Sequence, residues 1–590
     1  MRTRPVLAAA ISALLAAMSL AVVQERAKVT VSHTTSGTRD VIVHLFQWPW
    51  ASVARECTQV LGPQGYGAVQ VSPPQEHVVL PTQGYPWWQD YQPVSYQLTS
   101  RRGDRAAFAD MVRTCHTAGV KIYVDAVVNH MAGGASTGAG TGGSTYTQYA
   151  YPAVPYGHGD FHHCGRNGTD DIANWGDRWE VQNCELVDLS DLRTESAYVR
   201  GKLVAFLNDL VSLGVDGFRV DAAKHLPAGD LAAIMTAVQG DPYVYSEVIE
   251  GGSGEPGPEE YAGIGAVTEF RYGDVVGGAF RDGNLAELQQ LAGRMRVGSA
   301  DAVAFIDNHD TQRNGRAKLT YRDGAPYALA EAFLLAWPYG VPQVMSSFAF
   351  THPEAGPPTA TDGTTTAVSC GNGWVCEHRN RTTANLVALR NAAAGAPVTQ
   401  WWSNGSHQIA FGRGTAAYVA FNRSGSALTR TFQTSLAAGT YCDVIGGDAT
   451  DGTCTGAAYP VDAAGRFTAT IPANAGLALH IGARGSGPTT DCATAPVSFA
   501  ATVSTTWGQN VFVTGDTPAL GNWNPSAAVP LSSAGYPVWT ATVPLPGGVP
   551  VQYKYVKKEG SAVVWESGAN RTRTPPGSSP CGVTWSDTWR

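Results

Sequence analysis

Gly214-Val215-Asp216-Gly217-Phe218-Arg219-Val220-Asp221-Ala222-Ala223-Lys224-His225 is the stretch on which the reading of the chain turns. Val215 to Val220 reads as a short buried strand that delivers Arg219 and Asp221, two positions apart, to one face. A lone Asp there caps a helix as readily as it reacts. A guanidinium on the same face changes the balance, because it keeps the carboxylate ionised and oriented, the state a nucleophile needs.

Working outward, seven further segments read as strands: Val41–Phe46, Ala68–Ser72, Lys121–Val128, Val244–Val248, Ala266–Phe270, Ala302–Ile306 and Val341–Met345. Helical runs separate them. Asp104 to Ala118 repeats apolar residues at Phe108, Met111, Val112 and Cys115 and stops at Gly119; Tyr198–Leu213 and Tyr327–Trp337 are similar. Eight strands in βαβ order predict an α/β fold with a (β/α)8 barrel over 38–130 and 191–383, with an open doubly wound sheet as the alternative. The irregular segment 131–190 is too long for a plain loop and predicts a small inserted domain. From about Ala384 helical periodicity fades into short strands, an antiparallel β domain over 384–481. A Gly/Ser/Thr linker at 482–490 leads to a β-sandwich module over 491–590.

The size of the chain, 590 residues, allows roughly four domains, fewer if one is a barrel. With 15% charged residues and a net charge of -8 there is no basic footprint for nucleic acid. Arg2 and Arg4 precede an Ala/Leu-rich run from Val6 to Val23, the layout of a secretory signal within residues 1–28, so the protein is expected outside the cell. An uncleaved membrane anchor is the alternative for that run; no other stretch could cross a membrane. Ten cysteines fit an oxidising compartment, and pairing neighbours in order gives Cys57–Cys115, Cys164–Cys184, Cys370–Cys376, Cys442–Cys454 and Cys492–Cys581.

Polar clusters end four of the predicted strands: Asn129-His130, Asp221, Glu247 and Asn308-His309-Asp310. A barrel brings all of them to one mouth. Glycoside hydrolysis needs such a set: one carboxylate attacks the anomeric carbon while a protonated one serves the leaving oxygen. Asp221 beside Arg219 is expected to stay ionised, and Glu247, among Val244, Tyr245 and Val248, to hold its proton; Asp310 is left to bind hydroxyls and steady the transition state. A rival reading makes His309, Asp310, Asp307 and His130 ligands of a catalytic metal in a phosphoesterase, but no HxH or HExxH spacing occurs. The aromatic run Tyr85, Trp87, Trp88 and Tyr91 offers a stacking platform for sugars. The final module carries Trp507, Trp523, Trp539, Trp565 and Trp585.

The segments Asp125–His130, Gly217–His225, Glu247–Glu250 and Phe305–Asp310 resemble the four signature regions of glycoside hydrolase family 13, in the form of its animal-like members also found in actinobacteria. The resemblance spans about residues 40 to 480, and the module from Cys492 to Arg590 resembles a family 20 starch-binding domain. It implies a retaining hydrolase of α-1,4-glucans with Asp221 as nucleophile, Glu247 as acid/base and Asp310 as stabiliser. Trp87, Trp88, Tyr91, Gln92, His130, Arg219, Lys224 and His309 would contact substrate or orient the site. It implies Ca2+ held by the side chains of Asn129 and Asp191 and the carbonyls of Gln182 and His225, with Asp188 a competing position for Asp191.

Relatives of this kind bind chloride through two arginines and an asparagine; Arg219 and Asn308 match here, but Gln343 stands at the second arginine, so chloride independence is expected. In the module, Trp523, Lys554 and Trp565 would form one glucan site and Trp507, with Tyr536, a second, while Trp539 is core. The implied partners are starch, amylose, amylopectin, glycogen and maltooligosaccharides, acted on by a monomer. A glucan transglycosylase and a non-catalytic glucan-binding protein are the competing functions.

Overall fold

A computed structural model of the chain describes residues 39–133, 137–486, 492–577 and 581–590. The expected signal segment and residues 487–490 of the expected linker lie outside the described residues.

Eight parallel strands close into a barrel: β1 (Ile42–Leu45), β2 (Ala68–Val71), β3 (Lys121–Ala126), β4 (Gly217–Val220), β5 (Tyr243–Ser246), β6 (Ala266–Glu269), β7 (Ala302–Ala304) and β8 (Val341–Ser346), with β8 pairing back onto β1. Their residues are almost all buried, as expected where helices cover one face and the barrel interior the other. An interior layer alternates bulk and its absence: Tyr123, Tyr243 and Tyr245 pack with Ile42, Ala68, Ala266 and Val303. The helix Arg105–Thr117 is capped by Asp104, whose side chain accepts from the Ala107 N–H at 2.8 Å, and buries Phe108, Met111, Val112 and Cys115.

The inserted segment leaves the barrel through His130–Gly133, which pairs antiparallel with Leu189–Asp191, and between these lie a two-strand hairpin and the helix Arg178–Asn183. Cys57–Cys115, Cys164–Cys184, Cys370–Cys376 and Cys492–Cys581 are disulfides, and Cys442 and Cys454 are disulfide-bonded as well. The β domain starts later than the sequence reading placed it: Arg381–Ala392 is helical, and the four-strand antiparallel sheet of Val398–Ser403, Gln408–Arg413, Ala417–Asn422 and Ala475–His480 follows. The buried side of that helix carries Thr383 and Arg390 among Leu386, Val387 and Leu389, and Ala388 lies on its exposed side, so the sequence shows no clean apolar stripe of 3.6-residue period.

The chain divides into two compact units, the second made of residues 449–458 and 484–590. By itself this unit is a two-sheet sandwich in which Phe499, Trp539, Tyr553 and Trp585 share one core. Trp539 is thus core, as the sequence reading had it.

Gly217 opens β4 because it faces Tyr123. A Cβ there would meet the Tyr243 carbonyl oxygen at 2.4 Å and the Tyr123 ring at 2.8 Å. Neither can move without disturbing the interior tyrosine layer, so Gly217→Ala is expected to lower unfolding stability by about 1–3 kcal/mol, read from the denaturant midpoint at constant slope.

Candidate active site

Asp221 and Glu247 are the first residues beyond β4 and β5, and Asp310 lies in the turn after β7, so all three reach the C-terminal mouth. There they line a cleft of about 410 Å³ with Trp87, Trp88, Tyr91, His130, Trp175, Lys224 and His309. Beneath them Arg219 is buried and reaches three carboxylates. Its Nη1 donates to Asp125 Oδ1 at 2.5 Å and to Asp221 Oδ1 at 2.7 Å. Its Nη2 lies 2.7 Å from Glu247 Oε1, an ion pair whose angle falls outside hydrogen-bond geometry.

This differs from the sequence expectation on two points. Glu247 is not in an apolar setting: besides Arg219, its Oε2 accepts from the Ala222 N–H at 3.1 Å. Ala222 reaches it from a left-handed turn at φ 49°, a conformation non-glycine residues seldom take and one that here aims a backbone donor at a carboxylate. Nor does Arg219 serve Asp221 alone. Burial pushes the Asp221 carboxyl well up, Arg219 opposes this, and the charges of Glu247 and Asp125 add to it. Burial, then Glu247, pushes Asp310 up to about 7. With one cation among several buried carboxyls, Asp221 and Asp310 both favour their protonated forms.

The remaining predicted residues divide by position. Tyr91 donates to Asp125 Oδ2 at 2.8 Å and stacks on His309, ring centroids 5.4 Å apart. His130 Nε2 contacts the Tyr91 carbonyl at 2.9 Å, and burial holds this imidazole down at about 4; burial lowers His309 as well, so both enter the cleft neutral. Trp87 donates to the Pro353 carbonyl at 3.0 Å, Trp88 to the Glu354 carboxylate, and Lys224 pairs with Glu255. Gln92 sits to one side: its Oε1 accepts from the Gly133 N–H, where it supports the inserted domain. Asp307 faces away from the cleft toward Tyr327 and Gln312, so the four ligands of the rival metal reading do not converge.

Asp125 and Trp175 were missed from sequence. Asp125 had a signal, since it is the register partner of Arg219 across β3 and β4, legible only once those strands are paired. Trp175 comes from the inserted segment, whose irregular backbone gives no period to place it.

At the junction of barrel and inserted segment, Asn129 and Asp191 are both buried with 3.2 Å between the amide nitrogen and Asp191 Oδ1, and His162 Nδ1 is 2.6 Å from Asp191 Oδ2. Burial pushes Asp191 up to about 6. The helix bearing Gln182 meets His225, whose Nδ1 contacts the Val181 carbonyl at 3.0 Å. A buried carboxylate, a buried amide and nearby carbonyls fit a hard, oxygen-preferring cation such as calcium. At the chloride position, Gln343 Nε2 donates to Gln70 Oε1 at 2.7 Å and approaches the Tyr245 hydroxyl at 3.3 Å.

In the C-terminal unit Trp507 is fully exposed and Tyr536 exposed beside it, lining one hollow. Trp523 and Trp565 form a pair with ring centroids 6.4 Å apart, and Lys554 Nζ binds the Glu566 and Gly568 carbonyls that carry the Trp565 turn.

A closed parallel barrel with clustered carboxylates in an aromatic-walled mouth, in a chain whose second unit bears exposed indoles, defines a carbohydrate-active barrel enzyme. Family comparisons agree: residues 68–246 match the alpha amylase catalytic domain, 401–482 the alpha amylase C-terminal all-beta domain, and 494–583 the starch binding domain. The chain is 48% identical to an alpha-amylase of Thermomonospora curvata, covering 100% of both chains, and 46% identical to one of Tribolium castaneum, covering 76% of this chain and 95% of the other. A crystal structure of a glutamate-to-glutamine variant of alpha-amylase I from Eisenia fetida with maltohexaose matches at a TM-score of 0.72 and 40% identity, over 75% of this chain and 98% of that one. The chain belongs to the alpha-amylase family and is a glycosidase.

Arg219→Met would leave buried carboxylates without their cation. It is expected to lower stability by about 3–5 kcal/mol at neutral pH. Without the guanidinium those carboxyls favour their protonated forms still more, so the loss should be smaller at pH 5 than at pH 8. Denaturant unfolding at both pH values checks this.

Proposed function

We propose that the protein is a secreted, retaining α-amylase that cuts internal α-1,4 bonds of starch, amylose, amylopectin, glycogen and maltooligosaccharides. The observation that carries the reading is the single guanidinium shared by Asp221 and Glu247 under an indole-walled cleft. Two carboxyls anchored to one small cation are held close together, as a double displacement requires.

In this reading, which takes its roles from the family resemblance, Asp221 attacks the anomeric carbon while Glu247 protonates the leaving oxygen. Glu247 then accepts a proton from the water that releases the glycosyl–Asp221 ester. Asp310 accepts hydrogen bonds from ring hydroxyls, and neutral His130 and His309 can donate to others. Tyr91 stacks beneath the ring that distorts toward the oxocarbenium-like state. Lys224 binds on the leaving-group side, next to Glu247.

Calcium, where bound, would be held by Asn129, Asp191 and the Gln182 and His225 carbonyls, and would supply a structural clamp between the inserted segment and β4's turn. Exposed Trp507 and the Trp523–Trp565 pair, supported by Lys554, are proposed as two glucan sites of the C-terminal unit. Tethering them to the barrel raises the effective substrate concentration at a granule. Secretion as a monomer is part of the proposal; disulfide bonding of all ten cysteines fits an oxidising compartment.

Glu247→Gln is expected to lower kcat on amylose by about 10²–10⁴ with little change in KM, scored by reducing-end release. Full activity in that variant would refute the assignment. The combined change Trp507→Ala and Trp565→Ala should weaken adsorption to starch granules at least about tenfold and leave kcat on soluble maltooligosaccharides unaltered.

Gln343 already satisfies its neighbours with a neutral hydrogen-bond network, so no positive charge is left there to attract an anion. Activity is expected to stay flat as chloride replaces acetate at fixed ionic strength, and Gln343→Arg to introduce chloride dependence.

A further inference from the structure

The turn that carries Asp310 has a hidden side. Asn308 holds it from within: its Oδ1 accepts from the Asp310 N–H at 3.1 Å and the Thr311 N–H at 2.8 Å. Behind it, Asp307 Oδ2 accepts from Gln312 Nε2 at 2.7 Å, closing a clamp across the residues that bracket His309 and Asp310. Asp307 Oδ1 accepts from the Tyr327 hydroxyl at 3.0 Å. Gln312 continues to Ser347 Oγ at 2.8 Å, and the Ser347 N–H donates to Glu377 Oε2 at 2.7 Å. Glu331, one turn beyond Tyr327 in the helix Ala325–Ala336, is buried with neither carboxyl oxygen partnered, and Glu377 Oε1 is unpartnered too.

Three carboxyls are therefore buried together out of reach of the cleft. The charges acting on them are mostly negative: Glu377 and Asp323 on Asp307, and Asp307 and Glu377 on Glu331. Arg313 is the cation felt here, and it acts on Glu377. A carboxylate ion in that company would repel its neighbours, whereas a carboxylic acid avoids the repulsion and can donate to the Tyr327 oxygen, since a phenol hydroxyl can accept as well as donate.

We propose that Asp307 is a positioning residue for Asp310: it clamps the Asp310 turn through Gln312 while the carboxyl cluster behind it is neutral, and charging the cluster sets Asp307 against Glu377, which holds the far end of the same chain through Ser347, and so distorts the clamp. The proposal rests on the reading of Asp310 as the transition-state stabiliser. Burial, then the charge of Glu377, pushes Asp307 up to about 8 against the pull of Gln312 and Tyr327, and burial pushes Glu377 up to about 7 and Glu331 well above the usual carboxylate range. A carboxyl raised on folding stabilises most at low pH. Its contribution is lost as pH rises from the unfolded value near 4 through about 8.

The test compares wild type, Asp307→Ala and Asp307→Asn in the full chain, measuring kcat and KM on a soluble maltooligosaccharide and melting temperature from pH 5 to pH 10. Asp307→Ala is expected to lower kcat at least about tenfold with KM within about threefold. Asp307→Asn, a permanently neutral isostere, should rescue kcat to within about threefold and move the alkaline limb of kcat up by about one pH unit. Its melting temperature should also fall less between pH 5 and pH 9 than that of wild type. Unchanged kcat in Asp307→Ala, or an alkaline limb in Asp307→Asn identical to wild type, overturns the proposal. If Asp307→Ala does not fold, the Asp307→Asn limb decides alone. Full activity of Asp310→Asn would instead defeat the underlying reading of the site, whatever the Asp307 variants do.

Discussion

One buried guanidinium organises the catalytic end of this molecule. Arg219 touches Asp125, Asp221 and Glu247, and its positive charge is outnumbered by the carboxyls around it. Two like charges about 4 Å apart at an effective dielectric near 20 repel by about 4 kcal/mol, so such a group forms only where the fold forces it. In the function proposed above, carboxyls that ionise here would supply the negative potential that a sugar ring acquiring positive charge at its anomeric carbon requires. Because the carboxyls are fixed before substrate arrives, little reorganisation is needed when that charge develops. The arrangement trades stability for preorganised field, as active sites commonly do.

The barrel is what makes that forcing possible. Arg219 leaves β4 on the interior side, opposite Asp125 on β3 and Tyr245 on β5, so parallel register alone brings cation and first carboxylate together. Asp221 follows one residue beyond the strand end, and the left-handed turn at Ala222 then points an N–H at Glu247. Below this polar layer the tyrosines of β3 and β5 fill the interior, with Gly217 making room for Tyr123. A stiff apolar plug beneath a charged rim keeps water from reaching the ion pairs from below. That exclusion is part of why burial is the largest influence on Asp125, Asp221 and Asp310.

What the sequence revealed followed from what each element looks like in isolation. Strands buried on both faces are apolar runs, so the eight of them were legible, and the polar residues ending them stood out against that background. The clustering of Asp221, Glu247 and Asp310 was therefore legible as soon as a barrel was assumed. Asp125 was not, because its importance lies in a cross-strand pairing that no single strand displays. Gln92 looked like part of the aromatic rim and in fact braces Gly133, a distinction set by side-chain direction. The helix Arg381–Ala392 escaped notice because its buried side includes Thr383 and Arg390 while Ala388 is exposed, so its sequence shows no clean apolar stripe. The apolar setting inferred for Glu247 came from its chain neighbours, while its actual partners, Arg219 and Ala222, come from the adjoining strand and turn.

The two imidazoles of the cleft bear on how its titration should be understood. His130 and His309 are the residues usually invoked for a transition near neutrality, yet burial drives both downward, His130 to about 4, and the nearby Arg219 opposes a positive charge on His309. They stay neutral through the range in which the carboxyls exchange protons and so act as fixed hydrogen-bonding groups. Asp310, pushed up to about 7 by burial and by Glu247, changes charge in that range instead. A sugar that displaces water from the cleft deepens the burial, which favours retention of a proton, while its developing positive charge favours release. The protonation of Asp310 is thus favoured as the cleft fills and disfavoured as positive charge develops beside it, so its charge state is coupled to occupancy of the cleft.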